Sequence, residues 1–168
     1  MIVSRPVVEV RLASLDDADA VRDIYNAEVT ETTVTFDITP RSTDAQRAWI
    51  ADHQGAHPAV VAVAGREVVG FGSLSRYRDR PAYSTTVEDS VYVHRQHRGS
   101  GVGRALLEEL VQLAGAHGFH SVMGRIVGGH EASIALHRSC GFVLVGVERE
   151  VGRKFGRWLD VVVMQRLI

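Results

Sequence analysis

Val91-Tyr92-Val93-His94-Arg95-Gln96-His97-Arg98-Gly99-Ser100-Gly101-Val102-Gly103-Arg104 reads as a strand, a turn and the opening of a helix in one run. Val91 to Val93 is β-prone, and from Val102 onward apolar residues return at helical spacing, with Leu106, Leu110 and Leu113 on one stripe. Gly99, Gly101 and Gly103 stand between the two. Glycines at every second position leave backbone N–H groups uncovered and permit positive φ, while the helix start behind them adds unpaired donors and a partial positive charge. Such a turn suits phosphate or pyrophosphate.

Two other phosphate loops fail on spacing. A nucleotide triphosphatase loop needs Lys and then Ser or Thr after its last glycine, whereas Gly103 is followed by Arg104 and Ala105. A dinucleotide fingerprint needs a third glycine where Arg104 stands and an acidic residue about 20 positions on, and nothing acidic lies near Val122. What remains is Arg98-x-x-Gly101-x-Gly103 behind a Val-Tyr-Val strand.

Working outward, Thr85 to His94 extends as a strand, preceded by strands Ala59 to Ala64 and Glu67 to Arg76 with a hairpin at Gly65-Arg66. The connection from Tyr77 to Ser84 is longer and holds Arg78, Arg80, Pro81 and Tyr83. Nearer the start, Val7 to Leu12 alternates as a strand, and Asp16 or Asp17 can cap an amphipathic helix from about Asp17 to Thr30. The β-branched run Thr32 to Phe36 then breaks the helix, and a second helix starts near Thr43 and is stopped by His57-Pro58. Downstream come a helix from Gly101 to Gly118, a strand from Ser121 to Val127 and a helix from Glu131 to Cys140 ended by Gly141. Strands Phe142 to Glu150 and Trp158 to Leu167 flank an expected turn over Val151 to Arg157. The order is β-α-α-β-β-β-α-β-α-β-β, an α/β (α+β) chain without internal repeats.

Composition narrows the function classes. With 168 residues, 45% hydrophobic content and a net charge of -1, residues 1–168 are expected to form one globular domain. Scattered Lys and Arg leave no basic footprint for nucleic acid, and no apolar run approaches the roughly 18 residues of a membrane span. The start lacks the apolar core of a signal peptide, and Cys140, the only cysteine, allows no intramolecular disulfide, so a cytoplasmic setting is expected. Cys140 itself reads as a small buried thiol. Among the histidines only His53 and His57 stand at H-x-x-x-H spacing and none shows H-E-x-x-H, and no metal site is expected.

The element order and four local motifs together resemble the GNAT N-acetyltransferase superfamily, and within it the phosphinothricin and methionine sulfone (sulfoximine) N-acetyltransferase branch. The motifs are Glu88 with Ser90-Val91-Tyr92-Val93, the loop Arg98 to Arg104, Ser133-x-x-Leu136-His137 with Gly141-Phe142, and Phe155-Gly156-x-Trp158-x-Asp160. Tyr25-Asn26 through Phe36, and Arg80-x-Ala82-Tyr83, are similar to that branch too. The resemblance implies a single-domain fold with a central mixed twisted sheet and helices on both faces.

It also implies acetyl-CoA as co-substrate, with no metal. The cofactor is expected at Val91, Tyr92, Val93, Arg98, Gly99, Ser100, Gly101, Val102, Gly103 and Arg104, with Ser133 and His137 on the later helix. Where the family usually opens that helix with Asn, this chain has His130, whose imidazole still offers one donor. Acetyl transfer to an amine needs a neutral amine, a polarised carbonyl and a thiolate that can be protonated. The family pattern makes Glu88 the base, with Asp89 as the competitor on the opposite strand face, and His137 the candidate acid. It polarises the carbonyl with a backbone N–H freed where the strand leaves regular pairing near Val93. An acceptor bearing an anionic group calls for Arg at the mouth of the site. Arg80 and Tyr83 fit best, with Glu88, Phe36 and Lys154 completing the expected acceptor pocket, although Lys154 also reads as an exposed turn residue.

Three functions follow from these residues. The first is a small-molecule N-acetyltransferase working by direct transfer in a ternary complex. The second is a protein N-terminal or lysine acetyltransferase, and the third a non-catalytic acyl-CoA-binding module. Phe36, Arg80 and Tyr83 favour the first over the second, and retention of Glu88 and His137 argues against the third. The branch also implies a homodimer, for which the apolar run Val143 to Val147 is the expected contact.

Overall fold

The computed structural model describes residues 8–168. Seven strands form one mixed sheet flanked by four α-helices: β1 (Val8–Leu12), α1 (Ala18–Glu31), α2 (Thr43–Asp52), β2 (Ala59–Ala64), β3 (Glu67–Arg76), β4 (Thr86–Val93), α3 (Val102–Ala116), β5 (Ser121–Val127), α4 (Glu131–Ser139), β6 (Val143–Lys154) and β7 (Arg157–Leu167). This is the order expected from the sequence, in the spatial order β1-β2-β3-β4-β5-β7-β6. Every neighbouring pair is antiparallel except β4 with β5. Val7, the expected start of β1, lies outside the described residues.

Strand alternation sorts side chains onto two faces. Val60 and Ala62 join Val87 and the α3 residues Leu106, Leu107 and Leu110 in one core, while Val61 and Phe71 join Val21, Ile24, Tyr25 and Val29 of α1 in another. The helices therefore cover both sides of the sheet. The three α3 leucines are fully buried, worth about 1.5–3 kcal/mol each relative to exposure. Their close approach depends on missing side chains in β3: a Cβ on Gly72 would lie 2.9 Å from Leu110 Cδ1, and one on Gly70 3.1 Å from Leu106 Cδ1.

Two boundaries differ from expectation. A 3-10 turn over Leu15–Asp17 precedes α1, and the buried Asp17 does not cap the helix; its carboxylate accepts from Ser14 N–H at 2.8 Å and pairs with both guanidinium nitrogens of Arg11. The second difference is larger. The segment from Val151 onward is no long turn, because β6 runs on to Lys154 and the reversal is made by Phe155 and Gly156 alone, at φ 50° and 72°. A register shift between Glu148 and Gly152 lets β6 continue, with Glu150 at φ 51° and its N–H donated to Asp160 Oδ1 at 2.8 Å. An irregularity of that kind leaves no simple periodic trace.

Candidate active site

The site is made by a parting of strands. β4 pairs with β5 only from Thr86 with Ser121 to Asp89 with Gly124, after which the two separate. On its other side β4 keeps unbroken register with β3 as far as Val93 with Gly70, so it does not leave regular pairing there. What frees the backbone is the splay from β5. Because His94 N–H bonds Val69 O, the alternation of an antiparallel ladder turns the polar groups of Val91 and Val93 toward the opening.

A cavity of about 760 Å³ fills the gap, with Ser90 to Val93 on one wall and Arg125 to Val127 on the other. The glycine loop forms one end. Gly99 and Gly101 sit at φ 73° and 95°, and a Cβ built on either would meet nothing within 4 Å, so the loop presents bare backbone to open space. The first helical bond of α3, Ala105 N–H to Gly101 O, leaves the N–H groups of Val102, Gly103 and Arg104 at the helix start. Arg98 stands over this cradle. Its guanidinium donates to the buried Glu28 at 2.6 Å and to Val93 O at 3.2 Å, tying α1 to the loop. This donor set fits a pyrophosphate, and the apolar walls at Val91, Val93 and Ile126 fit a thin chain lying between the strands.

At the other side α4 carries Ser133, Leu136 and His137 along the cavity, with His130 just before its first turn. His130 Nε2 lies 3.0 Å from Thr33 Oγ1, joining α4 to the loop after α1, and burial pulls its imidazole below the ordinary value. His137 is buried at the apex. Its Nδ1 lies 2.8 Å from Ser133 O and its Nε2 2.9 Å from Asp89 Oδ1. Burial alone would lower its pKa, but Asp89 and the Ser133 carbonyl outweigh burial and raise it.

Glu88 points to the opposite face of β4. Burial raises its carboxyl above the ordinary range, partly offset by Arg125. Arg125 is itself held by both oxygens of Glu148 at 2.9 and 2.6 Å. Beyond the end of β3 a second hollow of about 600 Å³ is lined by Arg76, Tyr77, Arg78, Asp79, Arg80 and Tyr83. Glu88 itself lines neither hollow; the arginines that oppose the rise of its pKa are Arg125 of the first cavity and Arg78 of the second.

Residues 20–142 match the model of the acetyltransferase (GNAT) family. The chain belongs to the GNAT acetyltransferase family. This GNAT chain is 39% identical over 95% of its length to the phosphinothricin N-acetyltransferase of Streptomyces coelicolor, 95% of which is covered. It is 40% identical to the L-methionine sulfoximine/L-methionine sulfone acetyltransferase of Pseudomonas paraeruginosa, over 93% of this chain and 92% of that one. Among solved structures, the GNAT phosphinothricin acetyltransferase of Sinorhizobium meliloti in complex with AcCoA superposes with a TM-score of 0.92 at 39% identity, covering 96% of this chain and 88% of that one.

In this GNAT enzyme the first cavity gathers Val91, Tyr92, Val93, Arg98, Gly99, Gly101, Gly103, Arg104, His130, Ser133 and His137 of the expected cofactor residues. Val102 is in the core instead, at 1% exposure, and Ser100 turns its hydroxyl to His97 O. The expected acceptor residues divide. Arg80 and Tyr83 line the second hollow, whereas Phe36 and Lys154 line neither and meet each other's elements: the Phe36 ring occupies the place of a side chain on Gly152, and Lys154 Nζ donates to Thr35 O at 2.9 Å. Lys154 is 3% exposed, so the exposed-turn reading does not hold.

Glu28 and Arg125 are cavity residues that the sequence reading passed over, and Asp89, weighed there only as the competitor of Glu88, lines the cavity. Asp89 had a readable signal. It shares its strand face with Val87, Val91 and Val93, which pack toward α3, and a carboxylate among core residues demands a partner.

Proposed function

We propose that the chain is an acetyl-CoA-dependent N-acetyltransferase acting on the amino group of a small amino-acid-like substrate of the phosphinothricin, methionine sulfoximine or methionine sulfone type. One observation supports the reading: the parting of β4 from β5 opens a cleft that runs from the bare backbone of the glycine loop along apolar walls to His137, while Arg78, Arg80 and Tyr83 line a separate hollow beyond the end of β3. The named acceptors of the relatives are amino acids of that type.

In this reading the co-substrate is held by the loop from Arg98 to Arg104, the free edge of β4 at Val91 to Val93, and His130 and Ser133. It supplies an acetyl thioester, and the chain supplies proton handling and orientation. Glu88, its pKa raised by burial, takes a proton from the acceptor's ammonium, and the free N–H groups of β4 stabilise charge on the carbonyl oxygen. His137 gives a proton to the departing thiolate. Arg80, with Tyr83 beside it, meets the acceptor's anionic group.

The whole chain, residues 1–168, works as one cytoplasmic domain; among the described residues no helix is long and apolar enough to cross a membrane. It pairs as a homodimer through the edge strand β6, where Val143, Leu144, Val145 and Val147 are all more than half exposed. The deciding assay measures CoA release from acetyl-CoA over a panel of free amino acids, amines and peptides. Release with methionine sulfone, methionine sulfoximine or phosphinothricin is expected. Release only with peptide N-termini or lysine side chains would overturn the acceptor class.

A further inference from the structure

Asp89 and Gly124 are the last residues paired across β4 and β5, so they form the point at which the cavity opens. His137 is lodged against both. A Cβ on Gly124 would lie 2.7 Å from His137 Cδ2, 2.9 Å from Nε2 and 3.3 Å from Asp89 Oδ2, so the imidazole fits there only because residue 124 has no side chain. The Phe142 ring closes the remaining side edge-on, with centroids 4.9 Å apart.

The hydrogen bonds decide how the protons are arranged. Ser133 O is a carbonyl and can only accept, so Nδ1 carries a proton. Nε2 therefore either donates to an ionised Asp89 or accepts from a protonated one. Asp89 Oδ2 is buried beside the cavity with no hydrogen-bond partner among the described residues, and the side chain is 1% exposed. A buried carboxylate with one empty oxygen is costly unless a positive charge lies against it, and the group bonded to its other oxygen is the His137 imidazole. An imidazolium answers that need, and the raised pKa of His137 agrees with it.

We propose that Asp89 is a positioning residue for His137, holding its imidazole in the charged form with Nδ1 on Ser133 O and Nε2 at the apex of the cavity. The inference rests on the reading of His137 as proton donor in acetyl transfer. As the amine nitrogen bonds to the thioester carbonyl carbon, the C–S bond breaks and its electron pair goes to sulfur. The Nε2 proton leaves its hydrogen bond to Asp89 Oδ1 and goes to sulfur, giving the thiol and a neutral ring that keeps its Nδ1 proton on Ser133 O. The amine's proton leaves through Glu88 to water, and a proton from water restores the imidazolium. Without Asp89 the ring rests neutral, with its one proton on Nδ1 committed to Ser133 O and none to give.

The test pairs a spectrum with kinetics. In the free parent enzyme at about pH 7.5, above the ordinary histidine value of about 6.5, histidine-selective nitrogen NMR is expected to show both ring nitrogens of His137 protonated. In Asp89→Asn that signature is lost, kcat falls about 10- to 100-fold, and acetyl-CoA binds within about twofold of the parent. Asp89→Asn in a His137→Gln background adds no further loss. Persistence of the imidazolium in Asp89→Asn, or a neutral His137 with parental kcat, would overturn the proposal. Parental kcat in His137→Gln removes the proton-donor reading instead, and the spectrum of the parent then reports separately on whether Asp89 charges the ring. If Asp89→Asn does not fold, Gly124→Ala keeps both charges but displaces the ring: a loss of about 10-fold in kcat with cofactor affinity kept is expected, and parental kcat with a shifted His137 resonance defeats the idea.

Discussion

Glu88 and Asp89 are adjacent carboxylates with opposite surroundings, and strand alternation is the cause. Glu88, raised by burial, must be ionised to accept a proton, so activity is expected to fall as pH drops through its raised value; Glu88→Gln should remove that acidic limb and lower kcat by about 100-fold or more while leaving acetyl-CoA binding intact. Calorimetry and a pH–rate profile check both halves. The stability sign at His137 is opposite. A base whose folded pKa is raised stabilises fully below its unfolded value and loses that contribution as pH rises through the folded value, so thermal stability should decline above the ordinary histidine range, and Asp89→Asn should flatten the decline. Gly101 sits at φ 95° in the cradle, and Gly101→Val should weaken acetyl-CoA binding at least about tenfold without unfolding the chain; unchanged affinity by calorimetry would remove the loop from the cofactor site. Arg80→Ala should raise KM about tenfold or more for methionine sulfone and barely change it for an amine lacking an anionic group, with equal losses counting against an anion contact. What the sequence placed beforehand was local position: the spaced glycines, the helix-opening His130 and the i, i+4 pair Ser133 and His137 all line the first cavity. Arg125 was not singled out, and Asp89 was named only as the competitor of Glu88, because each meets its partner 23 or 48 positions away.

Elements were legible where their pattern is periodic and their ends are punctuated. β2, β3 and β5 begin and end where alternation and the Gly65-Arg66 turn place them, and Gly141, at φ 84°, closes α4. β6 was misjudged because a bulge breaks its period and Glu150 takes a left-handed conformation ordinarily left to glycine. The cost of that extension is visible in what it holds. By reaching Lys154, β6 touches the loop that follows α1: Lys154 pins Thr35 O and Gly152 leaves room for Phe36. The same loop bonds His130 through Thr33. Gly152→Ala should therefore destabilise the fold by about 1–3 kcal/mol, the usual scale for overpacking, and loosen the loop over the site. Denaturant melts and proteolysis within residues 32–40 are the measurements, and a parental melt would show the ring to be mobile.

At the scale of the molecule, the order of strands and helices along the chain was legible from the sequence while the parting of β4 from β5 was not, since nothing in either strand taken alone announces where a parallel pair lets go. Solution mass at micromolar concentration bears on the edge strand: a dimer is expected, and Val145→Lys with Val147→Lys should convert it to monomer. The short β4–β5 seam also makes the sheet two plates, β1 to β4 and β5 to β7, joined from Thr86 to Asp89 and backed on one face by α3. A ligand lying in the opening touches both plates and works as a clasp, turning part of its binding energy into cohesion of the fold. Hydrogen exchange should then slow together in β4 and β5 when acetyl-CoA is added, while the far strand β1 changes little. Slowing spread evenly over all strands would show the sheet to be a single plate. A clasped sheet would make the fold depend mechanically on its own co-substrate: with acetyl-CoA withdrawn, the two plates are expected to part more often, and the chain to unfold and be cleaved more readily.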